Sequence, residues 1–193
     1  LAAAFALAGP ALAAGQCDFG ENYVQEALAK IAELAPDRKR IHWHLIGPLQ
    51  SNKTRVVAEN FDWVHSVDRL KIAQRLAEQR PEGLPPLQLC LQVNISGEAS
   101  KSGVSPGDAA ALARSVAVLP NLRLRGLMAI PEPTEDMAMA RRPFAALREL
   151  RDALNRGGLE LDTLSMGMSH DLEAAILQAE GHKAKSKKFA SIA

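Results

Sequence analysis

Cysteine occurs only twice in the 193 residues, at Cys17 and Cys90. Two thiols exclude a disulfide scaffold and a cysteine-rich metal centre, and they suit a reduced, cytoplasmic setting. An excess of one charge is lacking too: 23 Lys and Arg stand against 22 Asp and Glu, a net charge of +1. That balance argues against bulk electrostatic binding of nucleic acid or attachment to a membrane surface. Outside residues 1–14 no apolar run is long enough to span a bilayer. No Gly-x-Gly-x-x-Gly follows a strand and no GxxxxGK[ST] occurs. A dinucleotide site is thereby disfavoured and a P-loop excluded.

What the chain does have is a globular composition, 47% apolar and 23% charged. This rules out disorder of the whole molecule. Three stretches differ in character. Residues 1–14 form an uncharged, Ala-rich head, with three readings: a buried helix, a degraded strand plus helix, or a secretory signal core. Residues 15–180 read as a single domain. Residues 181–193 hold Lys183, Lys185, Lys187 and Lys188 without apolar periodicity, as in a solvated, disordered tail.

The middle stretch alternates two periodicities. Short apolar runs at 17–20, 41–47, 62–67, 88–95, 123–130 and 163–169 read as strands. Amphipathic runs at 21–35, 51–60, 68–80, 106–119, 134–156 and 171–180 read as helices. Asp68 is placed to cap the third helix, and Pro143 to kink or restart the fifth. The near-continuous apolar run of 88–95 suits a parallel strand covered on both faces. Repeated strand–helix units imply a parallel sheet with right-handed crossovers, here barrel-like rather than open and doubly wound.

In such folds chemistry gathers at the carboxyl ends of the strands. Those positions are Glu21 and Asn22, Gly47, Ser66, Asn94 with Ser96, Met128, and Met168 with Ser169. Each also has a plain structural reading: Asn22 and Asn94 as turn residues, Ser169 as a helix N-cap. Ser169 before a helix also suits phosphate, since hydroxyl and backbone N–H groups would face the anion. His42 and His44 share one face of a strand, but no carboxylate spacing completes a metal site with them or with His65. Cys90 alternates within its strand as a packing residue.

Five motifs, FGENYVQEAL (19–28), WHLIGPLQSNK (43–53), QVNIS with SKSG (92–103), RGLMAIP (125–131) and LSMGMSHDLEAAI (164–176), follow in order. Together they resemble the pyridoxal phosphate homeostasis proteins, single-domain relatives of the N-terminal barrel of alanine racemase. The resemblance implies an α/β, (β/α)8 TIM-type barrel that holds pyridoxal 5'-phosphate (PLP) through a lysine Schiff base. It implies a cofactor-binding role in PLP homeostasis without robust catalysis, with PLP and PLP-requiring apoenzymes as partners. By motif, Asn22 would lie beside the cofactor, Met168 and Ser169 near its ring and phosphate, and Lys101 nearby but outside the Schiff-base position.

The ends depart from that pattern. The family's Schiff-base lysine would fall at about Leu1, and no lysine occurs before Lys30. The family's Arg-Ile-Gly-Thr motif has no counterpart after Ile176. The expectation is therefore a barrel lacking its first and eighth strands, as in a truncated or frameshifted gene. Its exposed edges would favour self-association. A racemase-like enzyme is the alternative. It would need a second base such as tyrosine, and Tyr23 is the only tyrosine. A further alternative is an interaction remnant without cofactor.

Overall fold

Among the described residues six parallel strands lie in sequence order across one sheet, each joined to the next through helical turns on its outer side. The computed structural model describes residues 9–98, 101–132, 134, 136–167, 175, 176 and 178. The elements are α1 (9–13), β1 (Asp18–Glu21), α2 (Val24–Glu33), β2 (His42–Leu45), α3 (Thr54–Asn60) and β3 (Trp63–Val67). They continue with α4 (Leu70–Gln79), β4 (Leu87–Gln92), α5 (Ala109–Ala117), β5 (Leu122–Met128), α6 (Met137–Arg156) and β6 (Thr163–Ser165). Short 3₁₀ turns at Ala35–Arg40 and Ser51–Lys53 follow α2 and precede α3.

Alternation along each strand separates two environments. Phe19, Trp43, Leu45, Val64, Leu89, Leu91 and Leu127 point outward into the main core under the helices. The facing stripes are Ala27 of α2, Val57 and Ala58 of α3, and Ile72, Ala73 and Leu76 of α4. Trp63, Cys90 and Met128 point inward and pack together with Ile46. The sheet is curled: His65 of β3 and Ser165 of β6 hydrogen-bond side chain to side chain, although β4 and β5 lie between them in the sheet. The outcome is a partial parallel barrel, as the alternating pattern implies.

The six strands stand where the apolar runs place them, with ends shifted by up to four residues. Two local readings need correction. Asp68 does not cap α4; its carboxylate pairs with Arg69 at 2.7 Å, and Arg69 is the extended residue before the helix. Pro143 does not restart the helix: α6 runs through it from Met137 to Arg156. The proline offers no N–H to the carbonyl one turn back, on Met139, and Met139 is exposed to water. Asp136 fixes the start of α6 instead, accepting from Ala138 N at 2.8 Å and Met139 N at 3.2 Å. Gly158, at φ +94°, closes it.

The helical reading of the head fits residues 9–13, where Leu12 is buried in the main core. Residues 1–8 and the Lys-rich tail lie outside the described residues. Among the described residues no helix is long and apolar enough to cross a membrane.

Candidate functional site

The carboxyl ends of β1 and β2 are knitted together by backbone. Ile46 N donates to Glu21 O at 2.8 Å, extending the β1–β2 ladder past its last strand pair. The chain then passes Gly47 directly over Asn22. A Cβ built on Gly47 would sit 2.7 Å from the Asn22 carbonyl carbon and 2.9 Å from its Cα, closer than real contacts allow. Ser66, at the end of β3, donates its hydroxyl to Gly47 O at 2.7 Å. Glycine is thus required here by close approach, and the neighbouring strand holds it in place.

Asn22 is half-buried at this junction, and its side-chain amide makes no hydrogen bond among the described residues. A half-buried amide with two donors and an acceptor offers a ready contact to a polar ligand. The turn-forming reading of Asn22 is therefore not what the side chain does. It is what Asn94 does: its Nδ2 donates to Glu98 O at 2.7 Å and to Lys101 O at 3.3 Å, and its Oδ1 accepts from Gly97 N at 3.1 Å.

Lys101 follows in that same loop after β4, with its Nζ 3.8 Å from Glu132 and its side chain 31% exposed. Lys30 is placed differently. It lies on the inward face of α2 with Ala27, and its ammonium meets both carboxylate oxygens of Glu21 at 2.8 and 2.9 Å. Both residues are buried. Burial pushes the Glu21 carboxyl above its ordinary range, and the Lys30 contact opposes that rise. Glu21 was legible as a strand-end residue, but its partner was not. Only the inward phase of Lys30 with Ala27, three residues apart, could have given it away.

Met168 and Ser169, with the proposed helix cap at 169–170, lie outside the described residues. Cys90 is fully buried among Trp63 and Met128, and desolvation drives its thiol far above the ordinary range, so it is a packing residue. The histidines, read only as poor metal ligands, turn out to be joined: His44 and His65 meet inside the sheet. Among the described residues no cluster of His, Cys, Asp and Glu could hold a metal ion.

A cleft of about 290 Å³ opens at the opposite, amino end of the strands, lined by His42, Asp62, Trp63, Arg80, Gln88 and Arg125. Its cations are already engaged. Arg80 donates to the carbonyls of Ala58, Phe61 and Pro85 at 2.6, 2.8 and 2.9 Å. Arg125 bonds Asp162 and Gln88 and lies 5.0 Å over the Trp63 ring. These contacts close the bottom of the sheet, and the candidate site remains at the carboxyl ends.

Comparison with known proteins places this geometry. The family model described as "Alanine racemase, N-terminal domain" matches residues 3–183. A protein of Pseudomonas aeruginosa named pyridoxal phosphate homeostasis protein is 70% identical over 164 residues, which are 85% of this chain and 69% of that one. Its namesake in Escherichia coli K12 is 52% identical over 172 residues, 86% of this chain and 71% of that one. Among solved structures, PipY of Synechococcus elongatus with PLP bound is 39% identical with a TM-score of 0.81, covering 94% of this chain and 83% of PipY.

Proposed function

The chain belongs to the alanine racemase N-terminal-domain family and, within it, to the pyridoxal phosphate homeostasis proteins, and from this premise we propose that it binds PLP at the carboxyl-end mouth of its sheet. The observation that carries the reading is the Asn22–Gly47 junction, which presents a half-buried amide where the FGENY motif meets the second strand. The Asn22 amide, which both donates and accepts, suits a polar substituent of a phosphorylated pyridine. Asn22 would contact the cofactor, with Met168 and Ser169 of the GMS turn near its ring and phosphate. PLP supplies an aldehyde that reacts with amines and a ring that draws off electrons. The protein's part is to bind and orient it.

Residues 15–180 act as the binding domain in this reading, and the role is to hold PLP and pass it to apoenzymes in the cytoplasm, without turnover of a substrate. The name of the Pseudomonas and Escherichia relatives supports it. So does Tyr23, the only tyrosine, whose side chain is exposed to solvent rather than enclosed as a second base would be. Self-association through the edge strands β1 and β6 accompanies the reading as a proposal.

Absorbance titration with PLP tests it, followed by borohydride reduction and intact mass. Saturable spectral change is expected, weakened about tenfold in Asn22→Ala, the worth of one good hydrogen bond. A reduced adduct is mapped first at Lys101. The reading fails if PLP gives no saturable change and no shift in melting midpoint.

A further inference from the structure

The interior of the curled sheet holds a line of polar side chains, of which His44 and Ser165 lie within two of the quoted motifs and Asp18 and His65 outside them. Asp18 Oδ1 of β1 lies 3.2 Å from His44 Nε2 of β2. His44 Nδ1 lies 3.0 Å from His65 Nε2 of β3. His65 Nδ1 lies 2.7 Å from Ser165 Oγ of β6. Both imidazoles are fully buried. The line starts at the amino end of β1 and finishes on the last residue of β6, where the chain enters the SMGMS segment.

Burying two imidazoles is costly unless each is hydrogen-bonded, and apolar residues would fill the same space with less penalty. The arrangement has a property that apolar residues lack. A neutral imidazole has one donor and one acceptor nitrogen, so fixing one contact in the line fixes the rest. An ionised carboxylate only accepts. With both rings neutral, His44 donates from Nε2 to Asp18 and accepts at Nδ1. His65 donates from Nε2 to His44 and accepts at Nδ1. The Ser165 hydroxyl is left to donate to His65, and its oxygen keeps its lone pairs for another partner.

Burial disfavours the charged form of His65. Burial, with the nearby His44, pushes the His65 imidazole down to about 3. The Trp63 ring stacks on His44 at 5.2 Å between centroids, and the Arg125 cation lies on Trp63. Charged or titratable groups near the pair include Asp18, His42, which meets the same Asp18 oxygen at 3.1 Å, and Arg125 beyond the indole.

We propose that the line Asp18–His44–His65–Ser165 is a positioning device. It holds the Ser165 hydroxyl as a hydrogen-bond acceptor toward the carboxyl-end site and so favours ligands that bring an N–H or O–H donor there, such as a protonated ring nitrogen or a ring hydroxyl. The ligand part rests on the PLP-binding reading above; the direction of the line does not. Ser165 is the residue that meets the ligand, and His65 and His44 act through it.

The first measurement needs no ligand. Long-range ¹H–¹⁵N correlations of the ¹⁵N-labelled full chain at neutral pH should show His44 and His65 both protonated on Nε2 only. A proton on Nδ1 of either ring, or an imidazolium, overturns the proposal. The second is PLP titration of variants. Ser165→Ala and His65→Gln should each weaken PLP binding about tenfold. Ser165→Thr, which keeps the hydroxyl, should restore it, and the double variant should lose no more than either single one. Wild-type PLP affinity in Ser165→Ala sinks the proposal and leaves the binding reading standing. Absence of PLP uptake by the unchanged protein sinks the binding reading and the ligand part of the proposal, and leaves the direction of the line to the correlation spectra.

Discussion

Gly47 and Asn22 touch through backbone alone: the space that a side chain on Gly47 would need is filled by the Asn22 carbonyl. The amide that faces the candidate site is thus aimed by a residue with no side chain, 25 positions later in the sequence. Gly47→Ala should force the two strand ends apart, costing about 1–3 kcal/mol as an overpacked site does. It should also weaken PLP binding as much as Asn22→Ala. Thermal melting and PLP titration of the two variants side by side check this, and unchanged PLP affinity in Gly47→Ala would refute the link.

The Glu21–Lys30 pair lies just behind that junction and is buried on both sides. Removing one partner leaves a buried charge without its counterpart, so Lys30→Met or Glu21→Gln should each destabilise by roughly 3–5 kcal/mol. Replacing both, as Glu21→Leu with Lys30→Met, should cost less than either single change. Denaturant midpoints of the four proteins form the required cycle.

His65 sets an acid limit. Its folded pKa of about 3 lies below the ordinary 6.5, so the unfolded chain takes up a proton that the folded one refuses. Stability from this group is intact above about pH 6.5 and falls as the pH drops toward 3, by up to about 1.4 kcal/mol per pH unit. Denaturation between pH 7 and 4 should show a shallower pH dependence in His65→Gln than in the wild type. Equal slopes would mean that other groups carry the acid response.

Asp136 anchors α6 by accepting from two backbone N–H groups. Asp136→Ala should lower stability by about 1 kcal/mol, and Asp136→Asn or Asp136→Ser should recover most of it. The melting midpoint is the readout, with PLP affinity expected to stay as in the wild type.

Arg80 binds three carbonyl oxygens, on Ala58, Phe61 and Pro85, where α3 ends and β4 is approached. Arg80→Met should strand those acceptors and cost at least about 2 kcal/mol. Arg80→Lys should recover little, because an ammonium cannot reproduce the planar fork that spans three acceptors.

The order of the strands and helices was written in the sequence, because apolar periodicity reports which face of each segment must leave water. The run at 88–95 and the stripe at 68–80 each predicted their element within a few residues. The family motifs pointed to the parallel barrel. Local rules failed where neighbours outweighed them: Asp68 prefers the adjacent Arg69 to a helix end, and an exposed turn absorbs Pro143 without a break. What only the tertiary structure decided is which distant side chains meet. His65 and Ser165 stand 100 positions apart, and Lys30 reaches Glu21 from a separate element. Periodicity tells that such residues face inward, but curling of the sheet sets what stands opposite, and that depends on the twist and register of all six strands together.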